Sequence, residues 1–233
     1  MTIWGAVAED SLFFGAGISL LAYCVGLYCR RKWKSPVCNP LLFSIVIVIG
    51  CLCAAGIEYD TYYKSAKYLS YLLTPATVSL AIPLYEQLSL LRRNWKAILC
   101  GILSGALSSL GSTWALAKLF ALNHQEYVTL LPKSITTAIG MSVSEELGGY
   151  VTLTVAVIVV TGIFGNIIAE AACKWFHITE PIAKGVAIGS SSHAIGTAKA
   201  LEMGETEGAV SGLSIVVSGL FTVVFASIFA QFL

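Results

Sequence analysis

The chain has 233 residues, 57% of them hydrophobic and 12% charged, with a formal net charge of +1. Soluble domains are roughly 45–50% apolar and about 25% charged, so the composition excludes a soluble globular protein and indicates a polytopic membrane protein. No long basic tract points to nucleic acid, and no soluble domain of useful size can be separated from the rest.

A membrane-crossing helix needs about 17–25 apolar residues. Such segments occur at 11–29, 40–57, 68–91, 97–120, 127–148, 150–173, 182–203 and 208–232, joined by short connections. The expected fold is all-α: one integral membrane domain over 1–233, a bundle of seven or eight membrane segments. The opening MTIWGAVAED has no basic n-region, unlike a cleaved signal peptide. The first segment ends in CRRKWK, and basic residues behind a span hold that end in the cytoplasm, which puts the N-terminus outside. Cys24, Cys29, Cys38, Cys51, Cys53, Cys100 and Cys173 form no C-x-x-C pair, so neither a disulfide framework nor a zinc site is expected. Trp33, Trp95, Trp175 and the group Tyr59, Tyr62, Tyr63 and Tyr68 suit an interfacial aromatic belt.

Two segments are interrupted. LLTPATVSLAIPLYEQL carries Pro75 and Pro83, and LLPKSITTAIGMSVSEEL carries Pro132, Lys133 and Gly140. Superimposed, they align Pro75 with Pro132, Thr77 with Ser134, Ser79 with Thr136, and Glu86-Gln87-Leu88 with Glu145-Glu146-Leu147. The spans that follow end alike, in ALAKLF and AACKWF, which defines an internal repeat of 68–120 and 127–176. Paired broken helices mark secondary transporters, because backbone that leaves helical geometry in hydrocarbon must line a polar cavity or be buried in protein. The alternative is that each proline merely begins a helix at the membrane surface. Charge counts leave open whether 68–91 and 127–148 span or re-enter. If all eight segments cross, Lys174 and Lys184 fall on the side that the positive-inside rule disfavours.

Ionisable residues inside membrane segments are functional candidates by default. Lys133, with Ser134, Thr136 and Thr137 beside it, sets a cation and hydroxyl donors at a helix N-terminus, a combination suited to a carboxylate. Otherwise Lys133 snorkels to the headgroups. GSSSHAIGTAKA, from Gly189 to Ala200, places Ser190, Ser191, Ser192 and His193 between glycines. It reads either as a tight packing seam with a satisfied histidine, or as a polar pocket in which His193 binds an anion or carries a proton. Thr77 and Ser79 would add to the site from the first repeat. Glu145 and Glu146 are coupling carboxylates or interfacial charges, and Glu202, Glu205 and Glu207 are expected in a solvated turn. No G-x-S-x-G elbow, H-E-x-x-H or other metal spacing occurs, so neither an enzyme nor a metal or cofactor site is expected.

Five stretches give the chain a resemblance: NPLL (39–42), GIEYDTY (56–62), PLYEQL (83–88), LPKSITT (131–137) and AKGVAIGSSSHAIGTAKALEMGETEGA (183–209). Over nearly its whole length from about residue 39 it resembles the LrgB/CidB family of bacterial membrane proteins. The resemblance implies an antiholin-like or holin-like protein of the cell membrane, affecting murein hydrolase export and autolysis beside a smaller LrgA/CidA-type partner. The family's plant relative is the plastid glycolate/glycerate translocator, and members are linked to pyruvate and similar carboxylates. Ala138 stands where relatives often have proline, and Lys184 and Lys199 where arginine is common. Lysine lacks arginine's bidentate fork, so substrate identity transfers least. Two expectations follow. One is a carrier of small organic anions (glycolate, glycerate, pyruvate or lactate), coupled through His193 or Glu145. The other is a holin/antiholin assembly governed by its homo-oligomeric state.

Overall fold

The computed structural model describes residues 11, 13–33, 39–72, 75, 78–79 and 81–233; Thr77 and Cys38 lie outside them. Every regular element among the described residues is helical. The chain divides into two compact units, 1–79 and 80–233. The first copy of the expected repeat crosses that division and includes undescribed residues. Pro75 and Ser79 belong to the first unit, Pro83 to the second.

The first unit contains α1 (Phe14–Trp33), α2 (Pro40–Ala55) and α3 (Tyr59–Ser70). Asn39 caps α2 by accepting from the Leu41 N–H at 2.8 Å, with Pro40 at the first helical position. Gly56, at φ 64°, takes the left-handed conformation that ends the helix. Helices α1 and α3 are tied by the Gly15 N–H donating to Ser65 Oγ at 2.7 Å and by the 2.7 Å bond between Ser19 and Tyr62 hydroxyls. The tyrosine-rich α3 has a polar, not a membrane-spanning, composition.

The second unit begins with two short helices, α4 (Ala81–Glu86) and α5 (Leu88–Arg93), separated at Gln87. Then follow α6 (Trp95–Leu119), α7 (His124–Leu130), α8 (Thr137–Glu146), α9 (Val151–Trp175), α10 (Pro181–Met203) and α11 (Glu205–Phe229), which a 3₁₀ turn extends to Phe232. Among the described residues three helices are long and apolar enough to cross a membrane: α6, α9, and α11 with its final turn. They match the expected segments 97–120, 150–173 and 208–232, and with the family membership reported below they make this a membrane protein.

The segments at 127–148 and 182–203 do something else. In α10 the backbone leaves helical geometry at His193 (φ 41°, ψ −141°). A side chain on Gly196 would meet the Ile188 carbonyl oxygen at 3.3 Å, although residues eight apart in a straight helix lie about 12 Å apart. Both ends of α10 also touch the first turn of α11: Lys184 Nζ lies 3.9 Å from Glu207, and Leu201 packs on Gly208. The chain therefore turns back at His193, and 181–203 is a helical hairpin, not the span expected from its composition. Its first arm runs parallel to α11, with Gly185 on Val210 and Gly189 on Ser214; its second runs antiparallel, with Thr197 on Ser211.

The stretch α7–α8 is a hairpin of the same kind. Thr154 Oγ1 lies 3.0 Å from the Thr129 carbonyl in α7 and 2.7 Å from Ser144 Oγ in α8, which brings the last turn of α7 beside the last turn of α8. Near the turn, Gly140 faces Pro132, eight residues back. Segment 127–148 thus also turns back on itself.

The two hairpins point at each other. Along α6, Gly105 meets Ser190 of the second hairpin, and Ser109, one turn on, bonds Ser134 of the first. Along α11, Gly189 packs at Ser214, while Ile139 packs at Gly219. On α9 both converge on Ile158, approached by Gly140 and hydrogen-bonded by His193. Three spanning helices therefore frame two opposed hairpins whose tips are about one helical turn, or ~6 Å, apart along the bundle. The modules 124–175 and 181–229 share this hairpin-plus-span plan. That internal correspondence differs from the one the proline alignment suggested.

The second hairpin depends on close backbone approach: a Cβ on Gly189 would collide with the Ser211 main chain. Gly189→Val should lower the thermal midpoint in detergent, by an overpacking cost of about 1–3 kcal/mol. Gly111→Ala, where a Cβ meets nothing within 4 Å, should leave it unchanged. Fluorescence-monitored melting of both variants checks this.

Candidate functional site

At the first hairpin tip, Pro132 and the following residues interrupt the helix between Leu130 and Thr137. Lys133 N–H reaches Leu130 O at 3.2 Å and Ile135 N–H reaches Pro132 O at 3.3 Å, short turns in place of helical bonds. Thr136 begins α8 in an extended conformation (φ −65°, ψ 147°), and no side chain caps the opening turn. The N–H groups of that turn thus remain available, with the positive end of the helix dipole behind them.

The Lys133 ammonium group folds back across the break. It donates to Ser109 Oγ of α6 and to Ser134 Oγ, each at 3.2 Å, and those two hydroxyls are themselves 2.8 Å apart. Ser134 is buried, and Lys133, Thr136 and Thr137 are partly so. No carboxylate among the described residues pairs with Lys133; the ion pairs lie elsewhere, at Lys184–Glu207 and Glu170–Lys199–Glu202. An ammonium held by neutral hydroxyls alone lacks the charge partner that normally offsets desolvation. Such a triangle of one cation and two hydroxyls has the reach and sign to bind a carboxylate.

At the second tip, the serines serve the turn itself. Ser190 and Ser191 hydroxyls donate to the Val186 and Ala187 carbonyls at 2.6 and 2.7 Å, occupying acceptors at the end of the first arm. Ser191 Oγ is also 3.0 Å from Ser192 Oγ. Thr197 Oγ1 donates to the His193 carbonyl at 3.0 Å. His193 Nε2 lies 3.0 Å from the Ile158 carbonyl. A carbonyl only accepts, so Nε2 carries the proton and pins the tip to α9. The ring is buried against Gly162, and Asn166 Nδ2, one turn further on, donates to Ile195 O at 2.7 Å. A helical residue at positive φ is strained, and these bonds hold it there. The packing seam expected of GSSSH is also the turn of a hairpin.

Each remaining sequence candidate lies within its own unit. Ser79 is exposed and donates to Pro75 O at 2.8 Å, and Glu145 is exposed near the C-terminal end of α8. Gly140 is buried inside α8, where it admits Ile158. Glu207, expected in a solvated turn, is instead buried in the first turn of α11 beside Lys184. Sequence reasoning did not single out Ser109, Thr154 or Asn166, uncharged polar residues among several in the apolar helices α6 and α9. Among the described residues no His, Cys, Asp and Glu cluster could hold a metal ion.

The LrgB-like family model matches residues 19–232. The antiholin-like protein LrgB of Bacillus subtilis (strain 168) is 33% identical over 222 residues, covering 95% of this chain and 96% of that protein. The proteins of the same name from Bacillus mycoides (strain KBAB4) and Bacillus cereus (strain B4264) match to the same extent. No solved structure gives a significant match.

The two polar clusters should respond oppositely to apolar replacement. Lys133→Met removes a cation without a counter-charge and should leave the thermal midpoint unchanged or higher. Thr154→Val takes the partner from Ser144 and from the Thr129 carbonyl in a fully buried setting. It should cost about 1–3 kcal/mol. Denaturation of both variants in detergent distinguishes these outcomes.

Proposed function

The chain belongs to the LrgB-like family, and from that premise and the tip geometry we propose that it is a carrier of small organic anions in the cell membrane. The substrate class is that of glycolate, glycerate, pyruvate and lactate. The observation that supports this best is Lys133, partly buried at the tip of a hairpin and held, among the described residues, only by Ser109 and Ser134. In this reading the carboxylate replaces the missing charge partner. It also accepts from hydroxyls and from the open N–H groups of the first turn of α8, with Thr136 and Thr137 alongside. Ser191, Ser192 and His193 close the site from the opposing tip.

No chemical step is required of the chain in this reading: it binds and releases an unchanged anion, and no cofactor takes part. His193 suits proton coupling, because Nε2 donates to Ile158 in the neutral and the protonated ring alike. A proton taken up at Nδ1 would add charge near the substrate without breaking that bond. Glu145, at the outer end of α8, is the other coupling candidate.

The positive-inside rule orients the second unit. Arg92 and Arg93 at the end of α5 and Lys96 at the start of α6 share an end of the bundle with Lys174, Lys184 and Lys199, while Lys118 marks the other end. The first group is cytoplasmic in this reading. The difficulty with Lys174 and Lys184 disappears because 124–146 turns back instead of crossing. For α1, Arg30, Arg31 and Lys32 in its last turn put that end inside and the N-terminal end outside. An LrgA/CidA-type partner and self-association fit the antiholin-like name of the relatives, and control of autolysis would follow from carboxylate flux.

The test is uptake of labelled glycolate, glycerate and pyruvate by proteoliposomes that also hold a large trapped dye. Saturable uptake with the dye retained is expected. Lys133→Ala should weaken apparent affinity about ten- to hundredfold, the equivalent of a lost charge-assisted hydrogen bond, and Lys133→Arg should retain part of it. Dye release without saturable uptake would replace the carrier by a pore of the kind that a holin forms.

A further inference from the structure

A groove of about 580 Å³ runs between α6 and the first arm of the second hairpin. Asn94 and Glu180 stand at its outer end, Ser104 and Val186 lie along it, and Ser108 and Ser190 line its inner reach. Ser108 is next in the chain to Ser109, whose hydroxyl holds Lys133. The groove thus leads from the end of the bundle bearing Arg92 and Arg93 to the depth of the hairpin tips.

The opposite end is different. Between the first tip and the outer ends of α7 and α8, Leu110, Ala117, Tyr127, Val128, Leu131 and Ala226 form a continuous buried apolar cluster. The Tyr127 hydroxyl donates to the Phe229 carbonyl at 2.8 Å and ties this cluster to α11. A hydrated anion cannot pass such a plug, since the transfer of a charge into close-packed apolar side chains is prohibitive. A site reached by a groove on one side and sealed on the other is one state of an alternating-access cycle.

We propose that the groove between α6 and the first arm of α10 is the water-filled path by which a small carboxylate reaches Lys133 from the cytoplasmic side. The structure is then the state closed toward the outside. This rests on the carrier reading above and adds to it the route and the side. Passage to the outward-open state requires the first arm of the second hairpin to close on α6 and the Tyr127 cluster to part. The contacts holding the two hairpins suit this division. The second is tethered at its base by the ion pairs Lys184–Glu207 and Lys199–Glu170, the latter with an exposed carboxylate for which water can compete. The first is held by buried hydroxyl bonds at Thr154.

The experiment is one-sided thiol labelling in membrane vesicles of known orientation. Ser104→Cys, Ser108→Cys and Leu131→Cys are placed in a chain freed of its native cysteines, and labelled with a membrane-impermeant maleimide. The expected result is labelling of the first two from the cytoplasmic face alone, none of Leu131→Cys from that face, and at least several-fold slowing at Ser108→Cys by saturating pyruvate or glycolate. In the native cysteine background, Ser104→Trp should reduce uptake at least tenfold, while Leu107→Trp, outside the groove, should not. Suppose the parent transports but Ser108→Cys is unlabelled, labelled equally from both faces, or not slowed by substrate. The path is then overturned and the carrier reading stands. If Ser108→Cys labels from the cytoplasmic face and the parent transports nothing, the groove stands as a water-filled path and the carrier reading falls. Unimpaired uptake in Ser104→Trp would overturn the path independently.

Discussion

A chain that turns back halfway through an apolar bundle must satisfy its own backbone there, and this constraint organises the second unit. Water is absent from the hydrocarbon core, where each unsatisfied amide or carbonyl costs several kcal/mol. At the second hairpin the Thr197 hydroxyl donates to the His193 carbonyl at the turn and the His193 ring donates to the Ile158 carbonyl of α9, while Ser190 and Ser191 donate back to the Val186 and Ala187 carbonyls one turn earlier. The His193 bond is the most consequential, because it fixes a residue at φ 41° and anchors the tip to a spanning helix.

The first hairpin places its polar anchorage behind its tip. Thr129, in the last turn of α7, and Ser144, in the last turn of α8, are joined through Thr154 of α9 in a buried hydroxyl network. Its tip is stabilised less completely: α8 has no side-chain cap, and Lys133 has hydroxyls but no counter-charge. The contrast between a satisfied tip at His193 and an electropositive tip at Lys133 gives the pair its polarity. The small residues of α6, α9 and α11 make the convergence geometrically attainable. Gly105, Gly162 and Gly219 each face a hairpin residue at close range, as larger residues could not.

Charge follows the same plan. The basic residues at the end of α5, at the starts of α6 and α10 and near the end of α9 share one end of the unit because one segment between them, 124–146, turns back. Counted as a span, that segment puts Lys174 and Lys184 on the wrong side; counted as a hairpin, it returns them to the end that carries Arg92 and Arg93. Glu207 and Lys184 show how local that arithmetic is. Three glutamates within six residues read as a solvated turn, yet Glu207 is drawn under the hairpin base by the first arm that packs on α11.

The sequence by itself determined that the chain is an all-helical membrane protein, that α6, α9 and α11 are its long apolar helices, and that Pro132 interrupts a segment. Each of these depends on local quantities: hydropathy summed over a window, and a proline that lacks its N–H. It also singled out Lys133 and His193, because ionisable side chains stand out against an apolar background. Only the tertiary structure decided that 181–203 is two arms. Nothing in GSSSHAIGTAKA breaks a helix locally, and the reversal exists because Ile158, 35 residues upstream, offers a carbonyl to His193. The same holds for Ser109, one serine among several on α6, which matters only because the chain returns 24 residues later to set Lys133 against it. Periodicity and composition report what a helix presents to its surroundings. They carry no signal for which distant group completes a turn, because that partner is chosen by packing.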